Sequence, residues 1–328
     1  MDDPVSRLSK PKILVVGDVV LDEYLFGTAT RLSREAPIPV LEFVRRTVIP
    51  GAAANPAHNI AALGAGAVLA AVVGDDAEGR QLVELLRTSG VDPACVIADP
   101  SRSTTVKTRI VSEGSLRFPQ QIARIDRISR AAVPPATLAT LEAMLHSRIE
   151  QVDAVLCSDY LSGLLTPELA HSLRDLCARH KLLWTVDAQG ELDKYRGAGV
   201  LRCNNHEASN FLRMRLASEE DFARGLTLLH EQLEVGLVVV TRGADGVSLM
   251  GRGQPYTHLA GRAVEVADVT GAGDTFIAVI TLALAAGFDA IEAAELANTA
   301  AALVVRRLGN AVVTPAELRE AAKDPPAP

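Results

Sequence analysis

What most constrains the fold of this chain is a strict alternation of short apolar runs with helix-length segments. Residues 13–16, 67–73, 154–157, 182–186 and 237–241 are brief, rich in β-branched side chains and end near Gly, Asp or Thr. Such runs read as strands buried on both faces. Between them, residues 53–63, 78–89, 135–149, 167–180 and 219–233 have helical length and patterning, and two Ala-rich helices follow over 274–286 and 290–307. Strands separated by helices connect as parallel crossovers, so the expected fold is α/β, a mostly parallel sheet covered by helices on both faces.

Two stretches break the rhythm. Residues 21–48 and 94–127 are more polar, and "VLEFVRR" and "TTVKTRIVS" alternate as a sheet with one wet face does. Both read as excursions into one small β-sheet lid on a single domain spanning about 11–320, with flexible tails over 1–10 and 321–328. The lid's apolar face, with Val40, Phe43 and Val106 as candidates, predicts a homodimer through the lid sheet.

Composition narrows the function. A formal charge of −7 with no Lys/Arg block argues against nucleic-acid or anionic-membrane binding by bulk charge. Local nests of N–H groups can still hold a small anion. Cys95, Cys157, Cys177 and Cys203 are widely spaced, as buried thiols of a reducing compartment are. With neither a signal-peptide pattern nor an apolar run of membrane-spanning length, the expected location is the cytoplasm.

In parallel sheets ligands sit beyond the carboxyl ends of the strands. Those ends carry Asp18, Ser158 and Asp159, Asp187, Asn204, and Thr241 with Gly243, so one crowded site is expected along that edge. There is no P-loop, and "GAGAVLA" follows a helix and enters a strand, the reverse of a dinucleotide fingerprint. The histidines show no metal-site spacing, and His206 reads as a helix-start residue.

Three motifs remain, each with two readings. In "VADVTGAGDTF", Gly271, Ala272 and Gly273 precede Asp274 where a helix opens, and unpaired N–H groups there attract anions. Asp274 is then either a residue complementing the helix dipole or an acid beside an anion site. In "PGAAANPAHNIAALGA", the small residues before Asn55 either pack a helix tightly or bring backbone and an amide against a polyol. "NNHEA" offers Asn204 and Glu207 as a capping pair or as ligands of an indirect, water-rich Mg²⁺ site.

Together, "GDVVLDEY", "GAAAN", "SDYLSGLLT", "NNHE", "TRGADG" and "DVTGAGDTF" occur in the order seen in the ribokinase/PfkB sugar kinases. The chain resembles that family from about residue 12 to about residue 318. Within it, "SREAPIPVLEF", "TTVKTRIVS", "ARIDR", "SDYLSG" and "RRLGNAVVTPAEL" look closest to the kinase domain of heptose-7-phosphate kinases. A second, nucleotidyltransferase domain with an H-x-G-H motif is missing from the sequence, which resembles a kinase-only form.

The resemblance implies a ribokinase-like fold and an ATP-dependent kinase using Mg²⁺. Gly271, Ala272 and Gly273 would hold the transferring phosphoryl group, and Asp274 would be the general base. Asp18, Asp22, Gly51 and Asn55 would contact the sugar, with Lys107 and Arg109 from the lid. Asn204 and Glu207 would serve Mg²⁺ and phosphate, and Thr241, Gly243 and Asn298 the nucleotide. Asp268 and Thr270 fall where many members coordinate a monovalent cation, so K⁺ joins ATP and Mg²⁺ as an expected cofactor.

Three residues depart from the pattern. Ala52 replaces the usual second glycine of G-G-A-A-N. Gln189 in "DAQG" stands where the heptose kinases carry a lysine, and Arg34 in "SREAP" stands where they carry proline. Arg34 is thereby a candidate replacement cation. The alternative readings are a kinase of another hexose derivative or a nucleoside, and a sugar- or nucleotide-binding homologue without turnover.

Overall fold

The computed structural model describes residues 3–114, 119–129 and 131–323. In chain order its first strands are β1 (Lys12–Gly17), β2 (Val19–Leu32), β3 (Pro39–Ala52), β4 (Gly66–Gly74), β5 (Asp92–Asp99), β6 (Val106–Ser112) and β7 (Gln120–Arg127). They are followed by β8 (Ala154–Asp159), β9 (Leu183–Ala188), β10 (Val200–Asn204), β11 (Leu237–Thr241), β12 (Val247–Gly251) and β13 (Thr257–Leu259). The helices are α1 (Pro4–Arg7), α2 (Ala54–Ala62), α3 (Ala77–Thr88), α4 (Pro135–Arg148) and α5 (Pro167–His180). Next come α6 (Asn205–Leu212), α7 (Glu219–Leu233), α8 (Ala272–Ala285), α9 (Ala290–Val304) and α10 (Pro315–Ala321).

A nine-stranded sheet runs in the order β13-β12-β11-β10-β9-β8-β1-β4-β5. It is parallel from β11 to β5, and β12 and β13 close one edge antiparallel. The strands read as unbroken apolar runs because each feeds two cores. Ile13 and Val15 of β1 pack with α2, α8 and α9, while Leu14 and Val16 pack with α4, α5 and α7 on the other face. Helix α8 is the most apolar of these, with Phe276 through Ala283 all buried. Its position carries its opening turn to the carboxyl edge of the sheet.

The second sheet has four strands in the order β3-β2-β6-β7. This matches the expected lid with altered limits. Residues 92–99 are an edge strand of the large sheet, paired parallel with β4, so the second excursion starts later than residue 94. Residues 115–118 of that excursion lie outside the described residues.

Other expectations are corrected. Residues 4–7 form a short helix capped by Asp3, and Val5 and Leu8 are buried in the core, so this end is no loose tail. Positions 324–328 of the other expected tail lie outside the described residues. Val106 is not on the exposed apolar face. It is 5% exposed and belongs to the core under the lid, Val40 is half-buried, and Phe43 is 70% exposed. Pairing sets Phe43 opposite Gly27 and Ile125 opposite Thr108, on the face away from Asp22 and Arg109. No helix among the described residues is long and apolar enough to cross a membrane.

Candidate active site

The opening turn of α8 is built to leave N–H groups free. Gly271 precedes the helix with φ +80°, a left-handed conformation that glycine adopts without strain, and no side chain caps the turn. Ala272 N–H donates to the Val269 carbonyl at 3.3 Å, so this member of the expected anion hole is already engaged. Among the described residues no acceptor takes the N–H of Gly273 or Asp274.

In the same turn Asp274 is buried. Its Oδ2 accepts from Asn55 Nδ2 and its Oδ1 from the Tyr160 hydroxyl, both at 2.8 Å. Burial, and then the nearby Asp187 carboxylate, push it from the ordinary 3.8 up to about 7. Burial and the charge of Asp274 raise Tyr160 well above an ordinary phenol, which keeps it a neutral donor. A carboxylate held by two donors near neutral pH can accept a proton from a third group.

Asn55, expected to bind a sugar hydroxyl, is fully buried and otherwise occupied. Its amide donates to Asp274, and its Oδ1 accepts from Asn59, which accepts in turn from Thr275 of α8. Asn55 thus orients Asp274. Asp18 is likewise committed: it accepts backbone N–H groups of Ser162 and Leu164, fixing the loop that delivers Tyr160. Burial raises its pKa.

Asp22, Gly51 and Arg109 do come together. Asp22 is buried, forms an ion pair with Arg109, and accepts from Asn310 Nδ2 at 2.8 Å. A β-carbon on Gly51 would fall 2.0 Å from Asp22 Oδ2, so only glycine admits this carboxylate. Lys107 is different. Its ammonium lies 5.7 Å from the centroid of the Tyr160 ring, and no carboxylate pairs with it among the described residues. Ala52 adopts φ +55°, which explains why glycine suits this position.

Beside α8 lies a cleft of about 920 Å³ whose lining includes Asn204, Thr241, Gly243, Gly273 and Asn298. The expected nucleotide residues therefore share one cavity, except Glu207, which sits behind it. Asn204 and Glu207 form a complete capping box at α6, with Glu207 N–H donating to Asn204 Oδ1 at 2.9 Å. The capping reading is realised. Glu207 Oε2 accepts from the Asn204 backbone, while Oε1 has no hydrogen-bond partner among the described residues, so the pair fits a hard cation reached through water. Burial raises the Glu207 pKa. Asn298 donates to the Ala260 carbonyl at 2.8 Å and steadies the far wall.

Asp268 and Thr270 are engaged with each other and with a neighbouring loop. Asp268 Oδ1 accepts from both the N–H and the hydroxyl of Thr270, and Oδ2 from the Gly309 N–H at 2.9 Å. These carboxylate oxygens hold the loop that brings Asn310 to Asp22. No group of three or more His, Cys, Asp or Glu able to hold a metal occurs among the described residues.

Sequence reasoning missed three residues here. Tyr160 stands in "SDYLSG", a stretch visible but without an assigned role. Asn310 stands in "RRLGNAVVTPAEL", a stretch that carries the family resemblance but without an assigned role for this residue. Arg202 interrupts the buried run "VLRCN", and a charge inside a buried strand is itself a signal. Gln189 is exposed, and Arg34 is exposed in the turn between β2 and β3.

Comparison with known proteins shows the family and the fold. The pfkB family carbohydrate kinase pattern matches residues 10–317. The Bifunctional protein HldE of Geobacter sulfurreducens is 39% identical over 306 residues, 93% of this chain and 61% of that protein. The protein of the same name from Helicobacter pylori (strain J99) is 37% identical over 308 residues, 94% of this chain and 65% of its own length. This chain spans about three fifths of the length of these curated relatives.

Among solved structures, Arabidopsis thaliana ribokinase complexed with ribose and ATP superposes with a TM-score of 0.74 at 19% identity, covering 96% of this chain and 99% of that one. Escherichia coli phosphofructokinase-2 in complex with potassium gives 0.80 at 19% identity, covering 95% and 99%. The fold is ribokinase-like.

Proposed function

Because this chain belongs to the pfkB family of carbohydrate kinases, we propose that it transfers the γ-phosphoryl group of ATP to a hydroxyl of a sugar phosphate, a heptose 7-phosphate in particular. The observation that carries the reading is Asp274. It is a buried carboxylate poised near pH 7, in the same helical turn as N–H groups that no acceptor among the described residues takes.

Asp274 removes the proton of the acceptor hydroxyl as its oxygen forms a bond to Pγ. The bond from Pγ to the bridging oxygen breaks, and its electron pair leaves on ADP. Gly273 and Asp274 N–H donate to the non-bridging oxygens, pre-aimed and therefore cheap to use in the transition state. Glu207 and Asn204 would hold Mg²⁺ through water, and the ion would supply positive charge to the phosphates. The cleft between α8 and β11 holds the nucleotide. The four-stranded sheet serves as a lid, with Asp22 and Arg109 toward the sugar. Lys107, a cation without a carboxylate partner among the described residues, meets the phosphate the acceptor already carries; this feature supports a sugar phosphate over a neutral sugar.

We also propose that two chains pair through the outer lid face, where Phe43 and Ile125 are 70% and 59% exposed. A monomeric mass by sedimentation at micromolar concentration would contradict pairing. Four buried, unpaired cysteines support a cytoplasmic location. The test of the activity is ADP release from ATP and Mg²⁺ across a panel of heptose, hexose and nucleoside acceptors with and without a phosphate. Release that no acceptor stimulates refutes the kinase reading. Release stimulated equally by unphosphorylated sugars refutes the role of Lys107.

A further inference from the structure

Strand β10 carries a guanidinium between the buried residues Leu201 and Cys203. Arg202 lies opposite Asp187 in the parallel register of β9 and β10, on the sheet face covered by α8. Its side chain is 12% exposed. Nη1 donates to Asp187 Oδ1 and Nη2 to Thr241 Oγ1, both at 2.7 Å. Nε is buried with no partner at all. A guanidinium has five N–H donors in a fixed plane. Two are used here, and an unmet buried donor is costly.

The guanidinium is also pressed against the opening turn of α8. A β-carbon on Gly273 would fall 2.7 Å from Nη2, 2.8 Å from Nη1 and 3.0 Å from Cζ of Arg202. Gly273 therefore does more than expose its own N–H: its missing side chain is what lets Arg202 reach this turn. Both residues line the nucleotide cleft. The surroundings are otherwise acidic. Asp187 pairs with Arg202, Glu207 is close enough to act on it, and Asp187 in turn repels Asp274. Of the other arginines of this cleft, Arg242 pairs with Glu219 and Arg262 with the Ala321 carbonyl; Arg242 Nε is also unpartnered among the described residues, but it is Arg202 that lies against Gly273. A polyphosphate entering so acidic a site needs a fixed cation, and Arg202 is placed to be that cation.

We propose that Arg202 is a catalytic residue whose unused N–H donors bind the non-bridging oxygens of the transferred γ-phosphoryl group, with Asp187 and Thr241 as its positioning residues. The inference rests on the kinase reading above. It also moves the replacement cation from the exposed lid turn at Arg34 to the sheet beneath the phosphates. Planar, bidentate donation to phosphate oxygens is a guanidinium property that an ammonium reproduces only in part.

The test uses Arg202→Met, Arg202→Lys and the double variant Asp187→Asn/Arg202→Met in the full chain. The single Met variant leaves Asp187 as a buried unpaired charge and can unfold on that account. The double variant removes both charges and should melt near the wild-type temperature. ATP and ADP binding are measured by calorimetry in Mg²⁺, independently of turnover, and kcat is measured with the best acceptor. The double variant should lose about tenfold in the ratio of ATP to ADP affinity and about 10²–10³-fold in kcat, as loss of a charge-assisted phosphate contact does. Arg202→Lys should recover part of both. A double variant that keeps the wild-type ATP-to-ADP ratio overturns the contact, whatever happens to kcat. If wild-type protein binds ATP yet phosphorylates no sugar, the kinase reading fails, and the affinity ratio still decides the role of Arg202.

Discussion

Asp274→Asn separates two consequences of one buried carboxylate. In the folded chain this group titrates at about 7, against an ordinary 3.8, and the first cause is burial. At 1.36 kcal/mol per pKa unit, that gap is up to about 4 kcal/mol of folding free energy withheld whenever the group is ionised. The sign follows from the folded value lying above the unfolded one. The penalty is absent below about pH 4, grows between pH 4 and 7, and is complete above about 7. Asparagine can keep both neighbours: its oxygen accepts from Asn55, and its amide donates to the Tyr160 oxygen once that hydroxyl turns.

The variant should therefore be more stable than wild type by up to about 4 kcal/mol at pH 8, shrinking to about 1 kcal/mol near pH 4.5. With an unfolding entropy of about 0.7 kcal/mol/K for a chain of this length, the gain at pH 8 is about 6 °C in melting temperature. Turnover should fall ~10²–10⁴-fold because no proton acceptor remains. Calorimetric melts at pH 8 and 4.5, with ADP release at pH 8, check both halves. A variant within about fivefold of wild-type kcat would mean that Asp274 only complements the helix dipole. A stability gain that does not vary with pH would refute the burial argument.

Three further outcomes are expected. Tyr160→Phe removes a donor that favours the ionised base, so the pH of half-maximal kcat should rise by about one unit; an unmoved profile would detach Tyr160 from the base. Lys107→Met should raise KM for a phosphorylated acceptor about tenfold and leave KM for ATP alone, and steady-state kinetics with both substrates varied would expose an error in its placement. Ala52→Gly should stabilise the fold by about 0.5–1 kcal/mol, since alanine is strained at φ +55°, and a chemical denaturation midpoint that falls instead would contradict that strain.

The large sheet was legible because burial on both faces leaves an unmistakable apolar run, as in β1 and β11. Edge elements were not. Asp92–Asp99 has mixed burial, and the short antiparallel strands β12 and β13 carry no periodicity long enough to read. In the site, the bare turn at Gly271 ahead of Asp274 was legible as the opening of a helix. Side-chain direction was not readable. The hydrogen bonds of Asn55 to Asp274 and of Asp18 to the Tyr160 loop are tertiary contacts that the sequence does not display. The hold of Asp268 on the loop of Asn310 is hidden for the same reason.

The proposed reaction is phosphoryl transfer from ATP to a sugar phosphate, with Asp274 as the base. Phosphorus-31 NMR of the protein with ATP, Mg²⁺ and a heptose 7-phosphate tests it most directly, with Asp274→Asn run alongside. A new sugar-phosphate resonance should appear in step with ADP, without inorganic phosphate, and should be nearly absent in the variant. ATP decaying to inorganic phosphate, or an equal sugar signal from the variant, would contradict the account.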